Sequence, residues 1–291
     1  ILMKLISWTD PRYFRFASAL IRSIRYHEND NDIVLYLLDF NEEQTNEARE
    51  LFRYDSKLEF KNLYSDNTDN YTVKTGGKKN EDAPGKIQFY RNFRPRMFLN
   101  ELKSAESEKI CTFGANGLVF TSLDYIEDLL DVNDFVFMER EKENVMTEAP
   151  KTVKCIEDIA DLVTNQNIDI DSILGKTTGK IVLLGTHAMK QSTATYSILE
   201  RWIELIENTD AINTKFSDMN LFVKAYTEAL ISGQHPVKKE TGLSLPRDKN
   251  PFCDTSFNDG NKIWFAKGDT KWKNSKYIEK VAYFLNHEYG L

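Results

Sequence analysis

The chain of 291 residues is 41% hydrophobic and 12% aromatic, and it carries a formal net charge of −7 with an isoelectric point near 5.3. A chain of this size can bury a large core, whereas its acidic balance argues against broad electrostatic binding to nucleic acid. No apolar run approaches the roughly 20 residues of a membrane span, and the three cysteines are far apart in sequence, so we expect a cytoplasmic protein without a disulfide framework.

The first 63 residues alternate between strand and helix signals. Short apolar runs at residues 3–9, 32–40 and 57–63 predict strands, and stretches with helical spacing of apolar residues separate them. Asp10 is placed to cap the first of these helices and Asn41 the second. The β-α-β-α-β order predicts an α/β fold with a mostly parallel sheet, in which ligands bind beyond the carboxyl ends of the strands.

A long polar segment and an arginine-rich segment follow. Residues 64–86 are rich in Gly, Asp and Asn, which predicts a long loop or flap. After this loop, "QFYRNFRPRMFL" carries Arg91, Arg94 and Arg96 among aromatic residues. Arginine forks suit phosphate or sugar-acid groups, and the alternative is a solvated helix face.

The stretch "ICTFGANGLVFTSL" places two apolar runs on either side of residues 114–117, which we call the glycine turn. Gly114 and Gly117 can adopt positive φ angles at little cost, so we expect one strand to end here and a second to begin. The glycine turn, Thr9 and Asp10 are then predicted at the same edge of the sheet.

Further strands and helices complete the pattern. Residues 180–186 predict another buried strand, and His187 directly follows it. From that position His187 could contact a bound ligand, or it could be a satisfied structural residue. We expect the chain to form a single large domain.

The order of these elements resembles the GT-A fold of nucleotide-sugar-dependent glycosyltransferases, especially the family-8-like group, over nearly the whole chain. In that group the first strand and turn, which look like "ISWTDPRYF" here, bind the nucleoside. The resemblance therefore implies donor binding by Thr9, Asp10 and Tyr13. The donor-binding helix of the family looks like "QFYRNFRPRMFL", with Arg91 as the better match and Arg94 as the second.

Three later motifs of the same group look like segments of this chain. The "Y-L-D-x-D-x-x-V" motif aligns with "CTFGANGLVF", and a "D-Q" in a helix resembles "FSDMNLF", which implies that Asp218 lies at the reaction centre. The closing "H-x-x-G-x-x-K-P-W" element resembles "FAKGDTKW", in which Gly268, Lys271 and Trp272 match. The family's two aspartates and its histidine correspond to Gly114, Asn116 and Phe265.

These departures fall on the residues that hold Mn²⁺ or Mg²⁺ in the family. Glycine offers only a backbone carbonyl and phenylalanine no ligand, whereas hard divalent cations need several oxygen ligands. We therefore predict no strong metal site, unless Asn116 replaces a native aspartate, in which case Mn²⁺ or Mg²⁺ is expected. The remaining alternatives are metal-independent transfer and an inactive relative.

The resemblance implies a glycosyltransferase that moves a sugar from a nucleotide diphosphate donor to a glycan or to a lipid- or protein-linked hydroxyl acceptor. It also implies that residues 1–140 form a nucleotide-sugar-binding half and residues 141–291 an acceptor-side half of the single domain, with His187 as the residue that could contact the acceptor sugar. The first alternative is a catalytically inactive nucleotide-sugar-binding or scaffolding protein of the same fold. A nucleotidyltransferase comes third, because that chemistry usually depends on metal-binding carboxylates.

Overall fold

A computed structural model describes residues 3–27, 30–64, 84–104, 107–139, 142–143, 152–153, 155–176, 182–208, 217–233, 239–240, 262–266 and 270–287. The predicted long loop lies largely outside these residues. The strands are β1 (Lys4–Thr9), β2 (Ile33–Leu38), β3 (Leu58–Leu63), β4 (Lys109–Gly114), β5 (Gly117–Val119), β6 (Phe135–Glu139), β7 (Lys142–Glu143), β8 (Thr152–Val153), β9 (Val182–Lys190), β10 (Lys239–Glu240) and β11 (Ile263–Phe265).

The helices are α1 (Phe14–Tyr26), α2 (Glu42–Leu51), α3 (Pro84–Ser104), α4 (Asp124–Val132), α5 (Ile156–Asn165), α6 (Ile170–Lys176), α7 (Thr193–Asn208), α8 (Ser217–Ser232), α9 (Thr270–Lys273) and α10 (Ser275–Asn286). Within the described part of the chain, no helix combines the length and the apolar character needed to cross a bilayer.

The central sheet has the strand order β10-β6-β9-β4-β1-β2-β3. Strand β9 runs antiparallel to both of its neighbours, while the other pairs in the sheet are parallel. Two further pairs, β5 with β11 and β7 with β8, form small antiparallel sheets. The predicted α/β fold with a mostly parallel sheet is confirmed.

Apolar side chains cover both faces of the central sheet. One face packs against α3 and α5–α8, where Phe98, Trp202 and Phe222 are fully buried. The other face packs against α1, α2, α4 and the β5–β11 pair, and a third cluster joins α1, β11 and α10. Burial of each such large side chain stabilises the fold by about 1.5–3 kcal/mol, so the layers hold the strand ends in fixed positions.

The observed start of α2 agrees with the prediction from the sequence, whereas the start of α1 differs from it. Asn41 caps α2 through a capping box. The Asn41 side chain accepts from the backbone amide of Gln44 at 2.8 Å, and the Gln44 side chain accepts from the backbone amide of Asn41 at 3.1 Å. Helix α1 begins at Phe14, four residues after the expected cap, because Asp10 folds residues 10–13 into a turn instead.

Candidate functional site

The carboxyl ends of β1 and β4 lie side by side at one edge of the sheet. In the parallel β1–β4 pair, Trp8 is aligned with Gly114, so Thr9 and the glycine turn follow adjacent strand ends. The predicted meeting of these two segments at the carboxyl edge is confirmed. This is the edge at which α/β sheets bind their ligands.

The segment that follows β1 is organised by Asp10. Thr9 is buried, and its hydroxyl donates to the carbonyl of Asp10 at 3.0 Å. The Asp10 carboxylate accepts from the amides of Arg12 and Tyr13 at 2.9 and 3.2 Å, and it forms an ion pair with the Arg12 guanidinium at 3.1 Å. Asp10 therefore fixes the direction in which the chain leaves the strand.

Tyr13 brings the segment after β1 into contact with the C-terminal part of the chain. The ammonium of Lys271 lies 4.7 Å from the centroid of the Tyr13 ring, and the Arg12 guanidinium lies 6.0 Å from it. Trp272 packs against Tyr13 and Phe16 with ring centroids 5.9 and 4.9 Å apart, while half of its surface stays exposed. Two cations and three aromatic rings thus share this part of the edge.

A buried ion pair lies beside the end of β1. Arg94 in α3 donates to Oδ2 of Asp218 in α8 at 3.1 Å, and their side chains are only 16% and 4% exposed. The same guanidinium stands 5.0 Å from the Trp8 ring. Arg94 thus brings a carboxylate of the second half of the chain to the sheet edge. The side chain of Arg91, the preferred match from the sequence, is outside the described residues.

His187 lies inside the sheet and not beyond a strand end. Strand β9 extends to Lys190, four residues past the predicted end, and pairs His187 with Thr112. The imidazole is 1% exposed, its Nδ1 is 3.1 Å from the Thr112 hydroxyl, and its ring packs edge-on against Phe98. Burial, with a smaller contribution from the nearby Arg94 charge, lowers the pKa of His187 to about 3. This geometry favours the structural alternative, because the ring is buried within the sheet and packed against Phe98.

The glycine turn separates β4 from β5 as predicted, but its glycines serve a different purpose. Neither Gly114 nor Gly117 has a positive φ angle. A β-carbon at position 117 would lie 2.7 Å from Cε1 of Phe265, so the absent side chain makes room for a buried aromatic ring. The expectation of positive φ is therefore wrong, since close packing explains Gly117.

Asn116 joins the glycine turn to the end of β11. Its side-chain amide donates to the carbonyl of Ala266, and its own carbonyl accepts from the Ala266 amide at 3.3 Å and from the Tyr277 hydroxyl at 2.9 Å. Because the partner atom of the side chain is a carbonyl oxygen, the amide nitrogen must face it. The Asn116 side chain is thus used to hold a strand in place.

The residues at this turn do not fit a divalent cation. Gly114 has no ligand atom on a side chain, Asn116 donates to a carbonyl, and Phe265 is a buried ring. In the part of the chain that the structure describes, no group of three His, Cys, Asp or Glu side chains could hold a metal ion. Gly268, the matched glycine of the closing motif, lies outside the described residues.

Three aromatic residues that were not among the predicted site residues belong to this region, and Trp272 among them had matched the closing motif of the resembling family. Trp8 supports Arg94, Trp272 covers Tyr13, and Tyr277 holds Asn116. The position of Trp8 directly before Thr9 could have indicated from the sequence that it lies near the site. The contacts of Trp272 and Tyr277, in contrast, depend on α9 and α10 packing beside α1.

The fold is that of known GT-A-type glycosyltransferases. No protein-family model and no curated protein matches this sequence. Among solved structures, the apo form of the bifunctional glycosyltransferase WbbM aligns over 96% of this chain at 12% identity with a TM-score of 0.56, but the chain spans only about half (49%) of WbbM. The galactosyltransferase LgtC, in complex with donor and acceptor sugar analogues, aligns over 99% of this chain and 98% of its own at 12% identity and a TM-score of 0.53.

A third similar structure is the apo form of the glycosyltransferase GlyE from Streptococcus pneumoniae. It is 12% identical over 98% of this chain and 62% of its own, with a TM-score of 0.52. At such low identity these similarities establish the fold alone.

Proposed function

We propose that this protein is a glycosyltransferase that moves a sugar from a nucleotide diphosphate donor to the hydroxyl of a glycan or of a lipid- or protein-linked acceptor. The observation that carries the proposal is the buried Arg94–Asp218 pair at the carboxyl edge of the sheet. A carboxylate that is 4% exposed is costly to bury, and a fold has little reason to place one beside its ligand-binding edge for stability alone.

Each residue at this edge has its own role in the proposed glycosyl transfer. Thr9, Asp10 and Tyr13 form the turn on which the nucleoside would rest. Lys271 would stabilise the negative charge that develops on the leaving diphosphate. Asp218, held in position by Arg94, would orient the acceptor hydroxyl or stabilise the reacting anomeric carbon.

A panel of nucleotide sugars tests the proposal directly. Release of nucleoside diphosphate is measured with each donor, alone and with simple hydroxyl acceptors, for the wild type and Asp218→Asn. We expect turnover with at least one donor and a loss of about 100-fold or more in the variant, which is the scale for a group that acts in the transition state. The control is Asp128→Asn on the exposed side of α4, which should keep full activity.

The second candidate is a nucleotide-sugar-binding protein without turnover. It is favoured by one observation, the presence of Gly114, Asn116 and Phe265 at the positions that hold the metal in the resembling family. Donor binding without product release under all conditions would support it over the enzyme.

Two further expectations remain part of the proposal. A cytoplasmic location agrees with the free thiols of Cys111 and Cys155.

The division into a donor half and an acceptor half agrees with Asp218 reaching the edge from the second half of the chain.

A further inference from the structure

Two close contacts shape the glycine turn, one within the turn itself and one with β11. A β-carbon at position 114 would lie 3.2 Å from Oδ1 of Asn116, and one at position 117 would lie 2.7 Å from Phe265. Each glycine therefore leaves the space that a neighbouring side chain occupies. The four residues form two complementary pairs, Gly114 with Asn116 and Gly117 with Phe265.

Hydrogen bonds reinforce this fit. Asn116 bonds to both the amide and the carbonyl of Ala266, which directly follows β11, and Ala266 is fully buried. The hydroxyl of Tyr277 in α10, which is itself fully buried, donates to the Asn116 carbonyl at 2.9 Å. The asparagine thus connects the end of β4, the end of β11 and helix α10 through three bonds.

We propose that the glycine turn is a structural junction between β5 and β11, and that a nucleoside diphosphate at this edge is bound without a divalent cation held at the turn. The second half of this inference rests on the proposed function. The first half favours asparagine over aspartate at position 116, because its side-chain amide donates to the Ala266 carbonyl and Gly114 leaves room for its side-chain oxygen.

The positive charge for a diphosphate has another source at the same edge. Lys271 and Arg12 both lie against the Tyr13 ring, at 4.7 and 6.0 Å from its centroid. Arg12 is already paired with Asp10, which leaves Lys271 as the cation best placed to bind phosphate oxygens.

The first experiment measures the thermal stability of Asn116→Asp, Asn116→Ala and the control Asn100→Asp, which adds the same charge at an exposed position of α3. An aspartate at position 116 loses the donor and sets a carboxylate against a carbonyl oxygen. We expect it to lower Tm by about 3–8 °C, at least as much as the alanine, since a buried acceptor is left unsatisfied. The control should stay within about 2 °C of the wild type.

The same variants also test for a cation site. If the turn were a cation site that had lost one carboxylate, Mn²⁺ would raise the Tm of Asn116→Asp and not that of Asn100→Asp. We expect no such rise. A wild-type Tm for Asn116→Asp, or a rise of several degrees with Mn²⁺ specific to it, would overturn the junction.

The second experiment measures binding of uridine and guanosine diphosphate to the wild-type chain by calorimetry, in EDTA and in Mn²⁺. We expect dissociation constants within about threefold of each other for whichever nucleotide binds. A more than tenfold gain with Mn²⁺ that is lost in Asn116→Ala would refute metal-free binding. If neither nucleotide binds under either condition, the second half fails together with the proposed function, while the thermal measurement still decides the junction.

Discussion

Arg94 and Asp218 are 124 positions apart in sequence, and their side chains meet at 3.1 Å where β1 ends. The contact joins α3 to α8 and places a charged pair beneath Trp8 at the edge of the sheet. It is the feature on which the proposed chemistry depends most, and the loss of stability on breaking it can be measured.

Replacing Arg94 by alanine should lower the free energy of unfolding by about 3 kcal/mol, because Asp218 would be left buried and unpaired. Denaturant unfolding of the wild type and the variant measures this loss. The matched control is Arg201→Ala, which breaks a more exposed arginine–carboxylate pair with Glu228 and should cost less than about 1 kcal/mol. Equal losses in the two variants would show that the Arg94–Asp218 pair is no more buried in solution than a surface pair.

Replacing Lys271 by alanine should weaken binding of a nucleoside diphosphate by about 1.5–3 kcal/mol, the range for a hydrogen bond to a charged group. Binding of the corresponding nucleoside should hardly change, because Lys271 is expected to contact only the phosphates. Calorimetry with both ligands separates these effects, and Lys273→Ala in the same short helix is the control. A similar loss for nucleoside and diphosphate would instead indicate that the fold around Tyr13 is disturbed.

Replacing Gly117 by alanine should destabilise the protein by about 1–3 kcal/mol, because the new methyl group would overlap Phe265. Gly114→Ala should cost less, since its β-carbon would meet only a side-chain oxygen at 3.2 Å. The combination of Gly117→Ala with Phe265→Leu should recover about 1 kcal/mol relative to the sum of the single changes. Strict additivity in this double-mutant cycle would contradict the packing between the two positions.

His187 should make the protein less stable in mild acid. Its pKa is lowered from 6.5 to about 3 by burial, so the unfolded chain takes up the proton before the folded one. The stability it contributes is complete above pH 6.5 and is lost as the pH falls from there towards 3. Between pH 7 and 5 the loss should be about 2 kcal/mol.

The measurement for His187 compares how steeply the free energy of unfolding changes with pH in two proteins, and not their absolute stabilities. Urea unfolding at a series of pH values is carried out on the wild type and on His187→Asn, which keeps a polar group near Thr112. The wild type should show the steeper loss towards acid, whatever the absolute stability of the variant. Parallel curves would mean that the imidazole is accessible to protons in the folded state.

The local features of this protein could be predicted from its sequence. The alternation of apolar runs with helical spacing predicted the strand and helix order, Asn41 was correctly predicted as the cap of α2, and the break at residues 114–117 was correctly placed. These features depend on the spacing of neighbouring residues along the chain, so sequence is sufficient to reveal them.

Which side chains come into contact depends on how distant elements pack, and this could not be read from the sequence. The register of α3 against α8 brings Arg94 to Asp218, and the extension of β9 between β4 and β6 buries His187, although the sequence placed it beyond a strand. The reason for a glycine at position 117 likewise lies in β11, because the ring of Phe265 occupies the space that a side chain would need. Contacts of this kind join segments that are far apart in the sequence, and they are selected by how whole layers pack, which no local pattern of residues encodes.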